Sequence, residues 1–449
     1  MNKNKLDIKT IIAIIVTVLC LGPICLNLMN VTQIPDTTIT LLVLAMASVF
    51  LVTEVLPLAV GAMTVPIVLA VAGILPVKTA FAGFSNDNVI LFGAMFIVGG
   101  ALFRTGVASA IGEMVVKLAN GRKDMLIIYI MVVTAVLSSV MSNTGTVAVL
   151  MPVCLGIADS AKMQRKSLLI PLAFMSSLGG MITLVGTPPN LTVSTVLAEY
   201  GYGSFGFLEY AYTGIPLCIL GGIYMFIYYH KELSKGGNKV DIPDTTNTPQ
   251  FTKHGKIATA ILVGVVLVMA TGVMNLTLGA SIGAMLCLLF GLLTPLEVIE
   301  DIDWTTIFLF AGMLPLSTAL EATGAGKMIA DMTVGLVGQN ASVIVVSTIL
   351  FLIANIMTQF MSNTAACALL APIGIEIAVA LGANPKPALL VIAIASAAAF
   401  ATPMATPPNT LVMGPANAQF SDYIKVGLPL IILAYIACIF LVPIFFPFY

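Results

Sequence analysis

The chain has 449 residues, of which 59% are apolar and only 9% charged. A soluble domain carries roughly 25% charged residues, so this chain cannot cover a water-facing surface and must use lipid as solvent. Its 19 Lys and Arg nearly balance 20 Asp and Glu, which excludes a nucleic-acid binder held by phosphate neutralisation. Two His and seven scattered Cys leave little for a metal centre or a disulfide framework.

Apolar runs of spanning length predict an all-α polytopic membrane protein. In chain order the crossings fall near 10–29, 39–56, 58–76, 89–105, 167–200, 211–229, 257–274, 278–295, 304–321, 386–420 and 423–446, about eleven transmembrane helices. Segments 125–160 and 341–380 are too long for one crossing, and each has a polar break at its middle. They read as two re-entrant helical hairpins, since non-helical backbone at membrane depth is tolerated only when buried in protein or lining a cavity. A count of fifteen crossings, with each hairpin a true pair, gives the same sidedness.

Charge sets the orientation. With the N-terminus inside, sixteen of the nineteen Lys and Arg fall on inner segments, and only Lys78, Lys327 and Lys386 lie outside. The C-terminus is then outside. The first apolar run lacks a small-x-small cleavage pattern after Cys20-Leu21-Gly22-Pro23 and reads as an uncleaved helix. The long polar stretch 231–256 reads as a cytoplasmic linker. It separates a first repeat, 39–230, from a second, 257–449, with the N-terminal helix within 1–38 standing outside both.

The repeats share their motifs. Leu91-Phe92-Gly93-Ala94-Met95 recurs as Leu309-Phe310-Ala311-Gly312-Met313 at an offset of 218. Met141-Ser142-Asn143-Thr144 recurs as Met361-Ser362-Asn363-Thr364 at an offset of 220. Gly186-Thr187-Pro188-Pro189-Asn190 recurs as Ala405-Thr406-Pro407-Pro408-Asn409 at an offset of 219. The charge map places the ends of one hairpin inside and of the other outside, so the repeats have inverted topology, as in many secondary transporters.

Consecutive prolines cannot continue a helix, so crossings 167–200 and 386–420 are broken helices. A break frees carbonyls, and carbonyls with hydroxyls make a cage for a hard monovalent cation. Half-helix N-termini offer partial positive charge to an anion. No Lys or Arg is expected near either hairpin tip. These residues point to cation-coupled uptake of an anion; neutral polar substrates stay open, as does an anion channel. No nucleophile–base arrangement or metal-ligand spacing marks an enzyme. Glu54 reads as an interfacial cap, and Cys154 and Cys367 as small buried hydrophobes.

The two Ser-Asn-Thr hairpins, the two Thr-Pro-Pro-Asn breaks and Thr53-Glu54-Val55-Leu56-Pro57-Leu58 resemble the divalent anion:sodium symporter family of di- and tricarboxylate transporters. The resemblance covers nearly the whole chain. It implies a homodimer in the cytoplasmic membrane, each protomer with a scaffold and a transport domain that moves as an elevator. The transport part would comprise roughly 125–200 and 341–420. The resemblance implies substrate contacts at Asn143, Thr144, Asn363 and Thr364, with Thr406 and Pro407 nearby. It implies a first sodium site at Ser138, Ser142, Asn143 and Gly186, and a second at Thr358, Met361, Asn363 and Ala405. Ser138 and Thr358 precede Ser142 and Ser362 by one helical turn, which suits ligands of the same cage. The expected activity is sodium-coupled import of C4-dicarboxylates such as succinate, malate and fumarate, with no organic cofactor. A sodium-independent exchanger and a citrate or sulfate carrier are the alternatives on the same fold.

Overall fold

A computed structural model describes residues 8–449 except 30, 32, 108–109, 111–113, 115–117, 120–121, 161–162, 234–251 and 338–341. Most of the polar linker expected at 231–256 lies outside the described residues. The chain is all-helical. Eight described helices are long and apolar enough to cross a membrane, and five further apolar helices are shorter. Two of those five, Leu58–Val71 and Leu276–Leu289, fall where the sequence suggested full crossings. In both cases the apolar run outlasts the helix, and a glycine with left-handed backbone follows: Gly73 at φ 75° and Gly291 at φ 64°.

Each expected hairpin is a pair of helices. Lys123–Ser138 turns into Asn143–Ser160, and Val343–Thr358 turns into Asn363–Ala380. Each expected broken crossing is likewise two helices. Lys166–Gly180 is followed by Pro188–Glu199, and Pro385–Ala397 by Pro407–Met413. In all four positions the second helix begins beside a capping Ser or Thr or on a Pro at its first turn, the residues that suit a helix start.

The two halves exchange partners. Both arms of each hairpin pack on the helix that follows them, Lys166–Gly180 or Pro385–Ala397. After the break, however, the chain crosses to the other half. Pro188–Glu199 packs on Asn363–Ala380 and Pro385–Ala397, while Pro407–Met413 packs on Asn143–Ser160 and Lys166–Gly180. The surrounding helices do the same: Trp304–Thr323 packs on Leu58–Val71, and Asp87–Arg104 packs on Leu276–Leu289. Two motifs some 220 residues apart in sequence are thereby brought to one place.

Small residues allow this interlocking. A Cβ at Gly312 would sit 2.9 Å from the Ala62 backbone, so the helices Trp304–Thr323 and Leu58–Val71 touch main chain to main chain. Ion pairs tie loops at the helix ends. Arg104 holds Glu297, Glu300 and Asp301 at 2.9–3.2 Å. Lys166 faces Asp422 at 3.6 Å, and Lys386 holds Glu209 at 2.7 Å.

The closest of these backbone contacts lies behind the second break. A Cβ at Gly427 would sit 2.1 Å from the Phe400 carbonyl oxygen and 2.4 Å from its carbon. Overpacking of this kind typically costs about 1–3 kcal/mol. Gly427→Ala is therefore expected to lower the thermal unfolding midpoint of the detergent-solubilised protein by several degrees. An unchanged midpoint would show that this contact is not tight.

Candidate functional site: a central cavity flanked by two oxygen cages

The four helix starts open on one cavity of about 650 Å³. Its wall includes Ser142-Asn143-Thr144 and Ser362-Asn363-Thr364 from the hairpin tips. Gly186 to Pro189 and Ala405 to Pro408 line it from the breaks. Phe92, Met95, Phe96, Leu309, Met404 and Leu411 supply apolar wall. No Lys, Arg or His stands among the described lining residues, whereas Glu54 and Asp303 line the cavity from exposed positions. Of the substrate contacts expected from the sequence, Asn143, Thr144, Asn363, Thr364, Thr406 and Pro407 all reach this wall.

The tips are built alike. Ser142 Oγ accepts from Gly145 N at 3.1 Å, and Ser362 Oγ accepts from Ala365 N at 3.1 Å. These hydroxyls cap the helices that start at Asn143 and Asn363. Capping leaves the two Asn side chains free to turn back toward the preceding arm. There the Ser138 hydroxyl lies 2.7 Å from Asn143 Oδ1 and 2.7 Å from the Ser176 carbonyl. In the second half Thr358 Oγ1 lies 2.7 Å from Asn363 Oδ1 and 2.7 Å from the Ser396 carbonyl.

The fourth wall of each cage comes from the break. The inward amide position of Asn143 lies 2.7 Å from Ser138 Oγ, 3.0 Å from Ser176 O and 3.3 Å from Gly186 O. That of Asn363 lies 2.7 Å from Thr358 Oγ1, 3.2 Å from Ser396 O and 3.3 Å from Ala405 O. A nitrogen turned inward donates to all three neighbours. An oxygen turned inward leaves four oxygens to share one hydroxyl proton, which cannot satisfy them. With the amide nitrogen inside, the cage closes on its own hydrogen bonds; with the amide oxygen inside, it offers four oxygens to a cation. All its donors to such an ion are neutral oxygens, the set that suits a hard cation. His, Cys, Asp and Glu form no metal-holding group among the described residues.

The backbone of each break is held by the Asn that ends its motif. Asn190 Nδ2 donates to Gly180 O at 3.3 Å and Thr183 O at 2.8 Å. Asn409 Nδ2 donates to Ala399 O at 3.0 Å and Thr402 O at 3.1 Å. A buried tyrosine secures each Asn in turn. Tyr210 OH donates to Asn190 O at 2.6 Å, and Tyr423 OH to Asn409 O at 2.7 Å.

The structure thus gathers Ser138, Asn143 and Gly186 in one cage and Thr358, Asn363 and Ala405 in the other. Ser142 stands at the cage as its helix cap. Met361 is buried in the hairpin turn, 2% exposed. Sequence reasoning missed the Ser176 and Ser396 carbonyls, although their shared offset of 220 was there to find. It also missed Asp303, and it placed Glu54 at the interface rather than on the cavity wall. Glu54 takes left-handed backbone, φ 52°, where the helix Asp36–Thr53 ends.

A family model described as "Citrate transporter" (CitMHS) matches residues 48–382 and 352–449. A Haemophilus influenzae protein named only as an uncharacterized transporter is 30% identical over 416 residues, covering 88% of each chain. The sodium-dependent dicarboxylate transporter SdcS of Staphylococcus aureus is 24% identical over 416 residues, covering 84% of this chain and 79% of its own. Among solved structures, the YdaH transporter of Alcanivorax borkumensis superposes with a TM-score of 0.59 at 14% identity over 86% of each chain, a likeness of fold. With most of its length matched by that family model, the chain belongs to the citrate transporter family: it is a membrane transporter of carboxylates, not an enzyme.

Proposed function

We propose that the protein imports C4-dicarboxylates such as succinate, malate and fumarate together with sodium ions, and that the central cavity is the shared site. The observation that carries this reading is the pair of matching oxygen-lined cages beside a cavity whose described lining residues include no Lys, Arg or His. Ser138, Ser142, Asn143 and Gly186 would hold one sodium ion, with the Ser176 carbonyl. Thr358, Met361, Asn363 and Ala405 would hold the other, with the Ser396 carbonyl. The substrate would bind between them against Asn143, Thr144, Asn363 and Thr364, flanked by Thr406 and Pro407.

The charges of a dianion and two sodium ions then cancel, while Glu54 and Asp303 stand at exposed positions on the wall. A dianion entering an apolar wall without Lys or Arg needs compensation. Two bound cations supply it, and the helix starts at Asn143, Pro188 and Asn363 add partial positive charge. Asn143 and Asn363 face both the cage and the cavity, so each amide couples cation to anion. The name of the Staphylococcus aureus relative agrees with both partners. Segments 125–200 and 341–420 would move as one elevator unit against the remaining scaffold, in a homodimer, as the family resemblance implies.

The N-terminus is assigned inside and the C-terminus outside. The asymmetry of basic residues supports this, and three ion pairs join loops that the charge map puts on one side: Arg104 with 297–301, Lys166 with Asp422, and Lys386 with Glu209. A second reading has its own support, because the matching family is described by citrate. A cavity of about 650 Å³ has room for a third carboxylate.

Uptake of labelled succinate into proteoliposomes is expected to need an inward sodium gradient. Equal uptake without sodium would remove the coupling, and uptake only into dicarboxylate-loaded vesicles would identify an exchanger. Asn143→Ala and Asn363→Ala each remove a contact to an ion and to the substrate. Hydrogen bonds to charged groups contribute about 1.5–3 kcal/mol, so uptake is expected to fall about tenfold to a hundredfold while the unfolding midpoint stays near wild type. Normal uptake by both variants would refute the site assignment. In a competition series, succinate should inhibit more strongly than citrate, 2-oxoglutarate or sulfate; the opposite order for citrate would establish the second reading.

A further inference from the structure

The hairpin tips of the two halves match at an offset of 220, and the breaks match at 219. The second half is therefore one residue shorter between them. Hydrogen bonds locate the missing residue. Ser138 and Thr358 reach the carbonyls of Ser176 and Ser396, still 220 apart. Asn190 and Asn409 reach the carbonyls of Gly180 and Ala399, already 219 apart. The deletion falls at the end of the helix leading into the second break. The first such helix runs to Gly180, whereas the second stops at Ala397, and Ala398 leaves helical backbone with φ −79° and ψ 48°.

An early helix end leaves carbonyls without helical partners. Here two side chains take over that role. Asn355 Nδ2 donates to Ala395 O at 3.0 Å and to Ala398 O at 2.9 Å. Gln359 Oε1 accepts from Ala401 N at 3.1 Å, and its Nε2 donates to Asn355 O at 3.2 Å. Both residues are 7% exposed. Neither lines the cavity.

The first half has no such pair. Ala135 and Ser139 stand 220 residues earlier, and glycines close the space instead. A Cβ at Gly179 would lie 2.5 Å from Ala135 O, one at Gly180 2.5 Å from Asn143 Oδ1, and one at Gly186 2.5 Å from Gly180 O. The residues 219 later are Ala398, Ala399 and Ala405, whose methyl groups need the room that the glycines give up.

We propose that Asn355 and Gln359 are positioning residues for the second cage, and that this cage, unlike the first, depends on a buried amide pair for its shape. Asn355 holds the chain on both sides of Ser396, whose carbonyl walls the cage. Gln359 reaches the far side of the break through its side chain, whose Oε1 accepts from Ala401 N; the bond from Thr402 Oγ1 to its backbone carbonyl has a counterpart in the first half, from Thr183 Oγ1 to the Ser139 carbonyl. The inference rests on the sodium-coupled reading above.

The test places the first half's residues in the second half: Asn355→Ala and Gln359→Ser, singly and together. In proteoliposomes the sodium concentration for half-maximal succinate uptake is expected to rise about tenfold in the double variant, the scale of lost buried hydrogen bonds. The succinate KM at saturating sodium should stay within about twofold, because neither side chain reaches the cavity. Ser139→Ala, whose hydroxyl bonds only the Val136 carbonyl, serves as the control and should match wild type. Sodium should also raise the wild-type unfolding midpoint more than that of the variants, since an ion that binds the folded state stabilises it. Wild-type uptake that ignores sodium would dispose of the coupled reading itself. Sodium-dependent wild-type uptake with unshifted variants would overturn the positioning role. A parallel loss in sodium and succinate dependence, or failure of every variant to fold, would overturn it too by making the pair a general requirement of the structure.

Discussion

The structure depends on one constraint: helices broken inside an apolar environment must find new partners for the backbone groups they release. In lipid, an unsatisfied amide or carbonyl costs several kcal/mol. The Pro-Pro pairs at 188–189 and 407–408 impose such breaks. Asn190 and Asn409 each repay two carbonyls with one amide, and Tyr210 and Tyr423 secure those residues from behind. The Gly186 and Ala405 carbonyls are not bound by these anchors. They turn toward Asn143 and Asn363, where they become walls of the cages. The same polar groups that make a broken helix costly therefore supply the site.

Interlocking follows from the same breaks. Because each half-helix after a break packs on the other half of the chain, the two tip-and-break units share one packed interface. The cavity wall draws on both. The Asn143 and Asn363 amides stand at the join: one face of each belongs to a cage and the other to the cavity. Whichever amide atom points into the cage, the other faces the cavity, so the polarity of the two spaces is linked through each Asn side chain.

Much of this was legible in the sequence, because polar residues repeated at one spacing in an apolar chain have few bland explanations. Asn143 and Asn363 and the two proline breaks were marked by repetition, Ser138 and Thr358 by the family resemblance, and the structure brings each set together. Backbone walls of the cages were harder to see. Ser176 and Ser396 act through their carbonyls, which every residue possesses, so side-chain type carries no signal there. Helix ends also escaped the hydropathy pattern, since apolar residues continue past Val71 and Leu289 into turns at Gly73 and Gly291. Glu54 was missed as a wall residue because its position depends on left-handed backbone at a helix end, which hydropathy does not record.

Asn355 and Gln359 were illegible for the opposite reason. Repetition reveals what the halves share, and these residues occur in one half only. Their trace in the sequence is a change of offset from 220 to 219, a single residue and by length alone a trivial one. Its physical consequence is not trivial. Shortening a helix by one residue before a break moves every carbonyl that follows, and glycine contacts that close the first cage are not available to alanines. A buried amide pair restores the geometry by hydrogen bonding instead of by close packing. Packing contacts are rigid and short-ranged, whereas hydrogen-bonded amides tolerate small adjustments before they break. Two cages with matching walls can thus differ in stiffness, one closed by glycine contacts and the other by a buried amide pair.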